Sequence, residues 1–181
     1  MEHVSSTGIA RGINVDASQI AKDLSFLDIK GKTRIGYEVA LLEHKLEEFL
    51  GFRKRHRAAI IGVGSLGRAL MQDSGLTNYG LEVVAGFDVD PAKIGSEHEG
   101  IPVYDVASLG EKARELGMEI GIVTVPVEYA QDAADSIVEA GLKAIWNFTP
   151  YRIQVPEDIV IANTSIYAHL AVMYNLSLIH I

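Results

Sequence analysis

Apolar positions along this chain follow a helical period in its first third and then alternate between strand and helix periods. After residue 57, short apolar runs bounded by glycine, proline or acidic residues predict β-strands. These runs begin at Ala58 or cover Leu81–Asp88, Ile101–Tyr104, Glu119–Val125, Lys143–Phe148 and Asp158–Ile161. Helices are predicted between them over Ser108–Leu116 and Glu128–Ala140, the second ended by Gly141. This alternation predicts an α/β fold with a doubly wound, mainly parallel sheet.

The first third of the chain begins with a pattern for two short helices joined by a tight turn. Asn14 tolerates the left-handed backbone that such a turn needs, and Asp16 with Gln19 resembles a capping pair for the second helix. The apolar residues predicted to form the shared core are Ile9, Ile13, Val15, Ile20 and Leu24. The spacing fits a helix-turn-helix and equally fits an ordinary two-helix packing unit.

In the helix-turn-helix interpretation, the start of the second helix would meet base edges and phosphates. The outward positions there are Ala17, Ser18, Ala21 and Lys22, with Gln19 beside them. A glycine-turned basic stretch follows, and it is suited to a wing along the DNA backbone through Lys30, Lys32 and Arg34. A further helix is predicted over Glu38–Leu50.

A glycine motif follows the first predicted strand, where Gly62, Gly64 and Gly67 form Gly-x-Gly-x-x-Gly before a helical pattern. The glycines permit the tight bend, the approach of backbone to a pyrophosphate and close packing of helix on strand. Asp88 ends the next predicted strand, 21 positions after Gly67, where a carboxylate would meet ribose hydroxyls. It favours NAD(H) over NADP(H), because the carboxylate would repel a 2′-phosphate and no arginine is nearby to neutralise that phosphate. The alternative is an α/β turn that binds no nucleotide.

Ligands of such sheets lie across the carboxyl ends of the strands, which selects the turns after Val63, Phe87 and Val125. The segment Thr124–Pro126 is therefore a candidate cofactor wall, although it equally fits a strand that ends at a proline. A catalytic proton donor is not evident: there is no Tyr-x-x-x-Lys pair, and His98 lies in a polar stretch expected to be a solvated loop. The pattern favours a cofactor that acts as a signal rather than as a reagent.

Composition and charge narrow the class of protein. Apolar residues make up 48% and charged residues 22% of the 181 residues, which excludes a disordered or collagen-like chain. Cysteine is absent, which excludes disulfides and thiolate sites. There is no apolar leader at the N-terminus and no 18-residue apolar window, so we expect a cytoplasmic protein without a membrane span.

Charge is distributed unevenly around the net value of −8. Residues 1–57 contain ten Lys/Arg and eight Asp/Glu, whereas residues 58–181 contain six and sixteen. The basic surplus therefore lies in the first third, where nucleic acid remains open as a partner despite the acidic total. Its densest run, Arg53–Arg57, is typical of a solvated connector and predicts a domain boundary.

Several motifs, in order, closely resemble those of the redox-sensing transcriptional repressor family Rex. They are Ser5–Thr7, Gln19–Ser25, Gly31–Tyr37, Gly62–Leu70, Phe87–Gly95, Gly100–Tyr104 and Asn147–Pro150. The resemblance implies a winged-helix domain over residues 1–52, a Rossmann NAD(H) domain over 53–162 and a helix over 163–175 that is exchanged in a homodimer. Family members bind inverted-repeat operator DNA when NADH is scarce relative to NAD⁺, and leave it when NADH binds.

The resemblance also assigns site residues by position. It places the pyrophosphate on the turn made by Gly62, Val63, Gly64, Ser65, Leu66 and Gly67. It places Asp88 on the adenosine ribose and Tyr104 near the nicotinamide, whereas the wall Val125–Pro126 is predicted from the strand ends alone. Lys22 would lie in the recognition helix and Lys32 with Arg34 in the wing.

This chain departs from the family pattern in three ways. It starts too late to hold the family's first helix and the leading strand of its domain. Ala21 stands where the family usually has arginine, and residues 176–181 resemble a foreign tail.

Two other classes of function stay open: a small NAD(P)-dependent reductase, and a CoA-binding Rossmann domain that uses the same glycines.

Overall fold

A computed structural model describes residues 2–32 and 35–179, and for residues 177–179 it describes the backbone alone. The chain divides between Lys54 and Arg55 into two compact units, two residues after the predicted boundary. We call residues 1–54 the N-terminal unit and residues 55–181 the C-terminal unit. Among the described residues, none of the helices is long and apolar enough to cross a membrane.

Within its described residues, 2–32 and 35–54, the N-terminal unit has three helices and a two-stranded antiparallel sheet. In chain order, its elements are β1 (His3–Val4), α1 (Ser6–Ile13), α2 (Ala17–Ser25), β2 (Tyr37–Glu38) and α3 (Val39–Phe49). Its core is small and is formed by Ala10, Ile20, Leu24, Leu27 and Leu42. A helix pair with a short ribbon is the winged-helix arrangement that the sequence predicted.

Three details of the N-terminal unit differ from the sequence-based expectations. Strand β1 pairs with β2, so a leading strand is present where none was expected. Ile13 and Val15 are 59% and 42% exposed instead of lying in the core, and they flank Asn14, whose left-handed backbone with a φ of 55° ends α1. Asp16 does cap α2, but the Gln19 amide donates to Asp23 instead of returning to the cap.

The C-terminal unit is built on a seven-stranded sheet with helices on both faces. Its strands are β3 (His56–Ile61), β4 (Leu81–Asp88), β5 (Glu97–His98), β6 (Ile101–Asp105), β7 (Ile120–Val123), β8 (Ala144–Asn147) and β9 (Val160–Asn163). Its helices are α4 (Ser65–Gln72), α5 (Gly75–Asn78), α6 (Leu109–Leu116), α7 (Ala130–Glu139) and α8 (Ile166–Ile179). The order β5-β6-β4-β3-β7-β8-β9 is parallel except at β5, which confirms the predicted fold class.

The two cores of this unit lie on opposite faces of the sheet because neighbouring strand residues point to opposite sides. Ala59, Ile61 and Phe87 belong to one core, and Ala58 and Ile60 belong to the other. Both faces are covered, which explains why the strands appear as continuous apolar runs.

Most predicted elements of the C-terminal unit are confirmed, with shifted ends. Helix α7 begins at Ala130, because residues 127–129 form a 3₁₀ turn after Pro126. His98 lies in β5, an antiparallel edge strand beside β6, and not in a loop. Helix α8 starts at Ile166 and extends to Ile179, so it includes part of the predicted tail, whose residues 180 and 181 lie outside the described residues.

Candidate functional site

The glycine turn between β3 and α4 is shaped by contacts that admit no side chain at two of its positions. Gly62 has a φ of +95°, and a Cβ there would lie 3.0 Å from the Val125 nitrogen. A Cβ on Gly67 would lie only 2.3 Å from the Gly62 carbonyl oxygen. A Cβ on Gly64, in contrast, would meet no protein atom within 4 Å, because this residue lines a cavity. The space beside Gly64 is thus open to a ligand that approaches the backbone closely.

Asp88 ties the end of β4 to this turn. Its Oδ2 accepts hydrogen bonds from the Val63 N–H and the Lys93 ammonium, each at 2.8 Å, and its Oδ1 accepts from the Asp90 N–H at 2.9 Å. Burial acts to raise the pKa of Asp88, but the hydrogen bonds from Lys93, Asp90 and Val63 together lower that pKa below its ordinary value. The carboxylate is therefore held ionised beside the turn.

Thr124 holds the same turn from the other side. Its hydroxyl donates to the Gly62 carbonyl at 2.8 Å and lies 3.2 Å from the Ile61 carbonyl. The sequence pattern placed Thr124 in a cofactor wall but indicated no role for its hydroxyl. Because Asp88 and Thr124 fix the turn from two strands, its shape is set before any ligand binds.

A cavity of about 590 Å³ opens over the carboxyl ends of β3, β4 and β7. This volume is within the range typical of small-molecule sites, and the position is where ligands of doubly wound sheets bind. Of the predicted cofactor residues, Gly62, Gly64, Asp88, Val125 and Pro126 line it. The residues on its wall for which the sequence predicted no role include Lys93, Val106, Tyr129, Asp132 and Ser136.

The predicted residues Val63, Ser65, Leu66 and Gly67 do not line the cavity but form the turn and the start of α4 behind it. No side chain caps the N-terminus of α4, whose N-cap is Gly64. Backbone N–H groups at such an end favour an anion. An uncapped helix end, an open Gly64 and an apolar wall with Asp88 at its rim suit the pyrophosphate and ribose of a dinucleotide.

Tyr104, which the resemblance places near the nicotinamide, does not line the cavity, and its role stays a prediction. It belongs to β6, which is separated from β7 by β4 and β3, and it is absent from the cavity wall. Its ring packs against Phe87 with centroids 5.8 Å apart, and the Lys112 ammonium lies 5.1 Å from its centroid. The structure thus does not bring Tyr104 together with Thr124–Pro126.

A buried amide at the end of β8 belongs to one of the family motifs, but the sequence analysis made no prediction of its role. Asn147 is fully buried, and its Nδ2 donates to the Tyr151 carbonyl at 2.8 Å and to Asn163 Oδ1 at 2.9 Å. Its Oδ1 accepts from the N–H and the hydroxyl of Thr149. The Asn147 carbonyl also accepts from the Thr164 N–H, two residues before α8. This network fixes the loop after β8 and the entry to α8.

The candidate DNA surface is the exposed side of α2. Ser18, Gln19, Ala21 and Lys22 are exposed there, whereas Ala17 is half-buried against the core. The Asp16 carboxylate accepts from the Ser18 hydroxyl and the Ser18 N–H, which lowers the pKa of Asp16. The cap therefore orients Ser18 at the start of α2.

The predicted wing follows α2, and the structure describes it on both sides of residues 33 and 34. Lys30 and Lys32 are exposed, and Lys32 pairs with Gly36 through two backbone hydrogen bonds of 2.8 Å. Arg34 lies outside the described residues. The described part of the wing thus presents two lysines within the same unit as α2.

Comparison with known proteins gives consistent results. Residues 53–151 match the CoA binding domain family. The redox-sensing transcriptional repressor Rex of Bacteroides thetaiotaomicron is 59% identical over 172 residues, which cover 95% of this chain and 78% of that protein. The Treponema denticola repressor of the same name is 44% identical and is matched over 97% of this chain and 85% of its own length.

Solved structures agree with these sequence matches. The crystal structure of RSP in complex with β-NAD⁺ and operator DNA has a TM-score of 0.92 and 34% identity, with 97% of this chain and 81% of that one covered. RSP in complex with β-NADH has a TM-score of 0.85 over 97% and 82% of the two chains, at 34% identity.

A winged-helix unit and a Rossmann unit with a preformed dinucleotide crevice, joined in one chain, define a ligand-responsive transcription regulator. Within that class, this chain belongs to the Rex family of redox-sensing transcriptional repressors.

Proposed function

We propose that this chain represses transcription according to the NADH/NAD⁺ ratio: it binds operator DNA when NADH is low and releases it when NADH binds. The observation that carries the proposal is the pre-shaped turn at Gly62–Gly67, fixed by Asp88 and Thr124, in a chain that also presents a capped, exposed α2. RSP, a relative in this family, has been crystallised with NAD⁺ and operator DNA and with NADH.

In the cofactor site, backbone N–H groups at Gly62–Gly67 would hold the pyrophosphate, and Asp88 would accept from the adenosine ribose. Val125 and Pro126 would cover the apolar wall of the crevice. When bound, the dinucleotide supplies a nicotinamide whose oxidation state is the signal. Tyr104, whose ring packs on Phe87, would lie near the nicotinamide end, as the resemblance implies.

At the DNA, Ser18, Gln19 and Lys22 would meet the major groove from α2, and Ala17 would support the helix from below. Lys30, Lys32 and Arg34 would contact phosphates. These contacts fix register, and α2 supplies sequence readout.

The working unit would be a homodimer on an inverted repeat, with half-sites about 34 Å or a multiple apart. Helix α8 is the element that we propose to be exchanged, since several large apolar side chains on it are more than half exposed. They are Ile166, Tyr167, Val172, Met173, Tyr174 and Leu176. Burial of such a surface against a second copy would favour association.

Coupling between the sites requires that NADH prefer the arrangement of the dimer that does not fit DNA. A coupling free energy of roughly 1–3 kcal/mol gives a useful switch, and it acts equally in both directions. No turnover is needed, so we propose that the chain is a cytoplasmic regulator and not an enzyme.

A fluorescence-anisotropy titration on labelled inverted-repeat DNA tests the proposal. NADH should release the DNA at concentrations at which NAD⁺ does not. Equal release by the two forms would contradict redox sensing.

Calorimetry with NADH, NADPH and CoA separates the other two functions. The match of residues 53–151 to CoA binding domains makes CoA the informative competitor. Tight CoA binding without NADH binding would favour that alternative, and hydride transfer to a substrate would favour a reductase.

A further inference from the structure

The turn after β4 places a cation directly on the carboxylate at the rim of the crevice. Lys93 Nζ lies 2.8 Å from Asp88 Oδ2, and both residues line the cavity. The Asp88 side chain is 7% exposed and the Lys93 side chain is 37% exposed. The lysine is therefore the more exposed member of the pair, and it is accessible from the cavity. The sequence pattern shows no arginine near Asp88, and it predicted no role for this lysine.

The hydrogen-bonding capacity of this pair is only partly used. A carboxylate offers about four acceptor positions. Asp88 uses three of them, for the N–H groups of Val63 and Asp90 and for Lys93. One acceptor position remains, on Oδ1. The Lys93 ammonium has about three N–H donors, of which Asp88 takes one. The pair thus presents an acceptor and spare donors side by side.

A vicinal diol matches that arrangement, because each hydroxyl both donates and accepts a hydrogen bond. One hydroxyl can donate to Asp88 while its neighbour accepts from Lys93. A ribose that carries a 2′-phosphate has lost one donor and gained negative charge, so it attracts Lys93 but is repelled by Asp88. The two residues act in opposite directions on a phosphate and in the same direction on a diol.

We propose that Lys93 is a specificity-determining residue of the ribose subsite: with Asp88 it selects the unphosphorylated diol, and it becomes a phosphate-binding cation once the Asp88 charge is removed. This inference rests on the proposed binding of a dinucleotide. In this proposal the negative charge of Asp88 prevents Lys93 from binding the 2′-phosphate of NADPH.

Calorimetric titration of the full chain with NADH and with NADPH tests the inference in five proteins. They are the wild type, Lys93→Met, Lys93→Arg, Asp88→Asn and the double variant Asp88→Asn/Lys93→Met. Lys143→Met is the matched control. Lys143 forms an exposed pair with Asp158 at 3.2 Å, and it lies just before β8, whereas the cavity lies over the carboxyl ends of the strands. Asparagine at position 88 retains an oxygen that can accept from the Val63 N–H, so the glycine turn stays anchored.

We expect Lys93→Met to weaken NADH binding about tenfold, the value of one charged hydrogen bond. Lys93→Arg should retain most of the affinity, and Lys143→Met all of it. Asp88→Asn should raise the affinity for NADPH relative to NADH by about tenfold or more, through the charge that it removes beside Lys93. The double variant should lose that gain.

The failure of this inference is distinct from the failure of the proposed function. A wild-type chain that binds neither dinucleotide would overturn the proposed function itself. If the wild type binds NADH and Lys93→Met binds it equally well, the role of Lys93 is overturned alone. Equal NADPH affinity of Asp88→Asn and the double variant would likewise overturn only the role of Lys93.

Discussion

The N-terminal and C-terminal units bury their apolar side chains to different extents. In the C-terminal unit Ile60, Phe87 and Ile122 are completely buried, because helices cover both faces of the sheet. In the N-terminal unit the core residues retain 5–7% exposure, and Phe26 and Phe49 are 67% and 64% exposed. The C-terminal unit therefore has fully buried cores beside its ligand crevice, whereas the N-terminal unit has a thin core beneath an exposed helix.

This difference indicates how the two tasks of the chain are divided. A ligand crevice needs a turn whose atoms are fixed before binding, and the buried sheet provides it through Asp88 and Thr124. A DNA-reading helix needs an exposed polar face, and the small N-terminal unit provides that on α2. We therefore expect substitutions in the sheet to affect stability most, and substitutions on α2 to affect DNA affinity with little change in stability.

The largest effect should come from the centre of the sheet. Phe87→Ala should lower the free energy of unfolding by about 3–5 kcal/mol, since Phe87 is fully buried and a cavity would remain. Phe26→Ala, in the N-terminal unit at 67% exposure, should change it by less than ~0.5 kcal/mol. Urea denaturation followed by circular dichroism measures both. Equal losses would remove the contrast between the two units.

The next effect concerns the buried amide network at the end of β8. Asn147→Ala should cost about 1–3 kcal/mol, because the N–H and hydroxyl of Thr149 lose their buried acceptor. Asn163→Ala removes only an exposed partner of Asn147 and should cost less. The same denaturation experiment ranks the two variants, and a reversed ranking would contradict the role of the network.

A substitution in the glycine turn should separate ligand binding from DNA binding. Gly67→Ala places a Cβ 2.3 Å from the Gly62 carbonyl and should weaken NADH binding by at least about tenfold, or 1.4 kcal/mol. Gly110→Ala is the control, since the nearest atom to its Cβ would be 3.9 Å away. Calorimetry gives the affinities, and anisotropy without NADH should show unchanged operator binding. Unchanged NADH affinity in Gly67→Ala would remove the turn from the site.

A smaller effect is expected on α2. Lys22→Ala should weaken operator binding and reduce the slope of log K against log salt by about 0.9, if Lys22 neutralises one phosphate. Lys45→Ala is the control in the same unit, because Lys45 is paired with Glu48 on α3. Anisotropy titrations at several salt concentrations measure the slope. An identical slope for the wild type and Lys22→Ala would place Lys22 away from DNA.

The smallest effect is a pH dependence in each unit. The folded pKa values of Asp88 and Asp16 both lie below the ordinary value of 3.8, so each group stabilises the fold above that pH and loses this contribution as the pH falls through its folded pKa. Asp88→Asn and Asp16→Asn should therefore be less stable than the wild type at neutral pH and approach it under acid conditions. Denaturation at a series of pH values measures the difference. A difference that grows on acidification would have the wrong sign.

The local pattern of the sequence was enough for the fold class and for placing the glycine turn and Asp88 at one cavity. The run Gly62–Gly67 and the position of Asp88 depend on backbone conformations and strand ends that neighbouring residues specify. The strands of the C-terminal unit were predicted with shifted ends because both of their faces are buried, which leaves a continuous apolar signal. Asn14 likewise revealed the left-handed turn that the structure has.

The rest depended on which strands became neighbours. Thr124 reaches Gly62 across 62 positions of the chain because β7 pairs with β3, and Tyr104 is separated from the wall by two strands because β6 pairs with β4. Lys93 turned back onto Asp88 only through the fold of the loop between them. Ile13 and Val15 were expected in the core from their apolar character, yet they lie on the exposed side of the turn at Asn14. Periodicity records which face of an element is apolar, whereas the partner of a polar atom is chosen by tertiary packing.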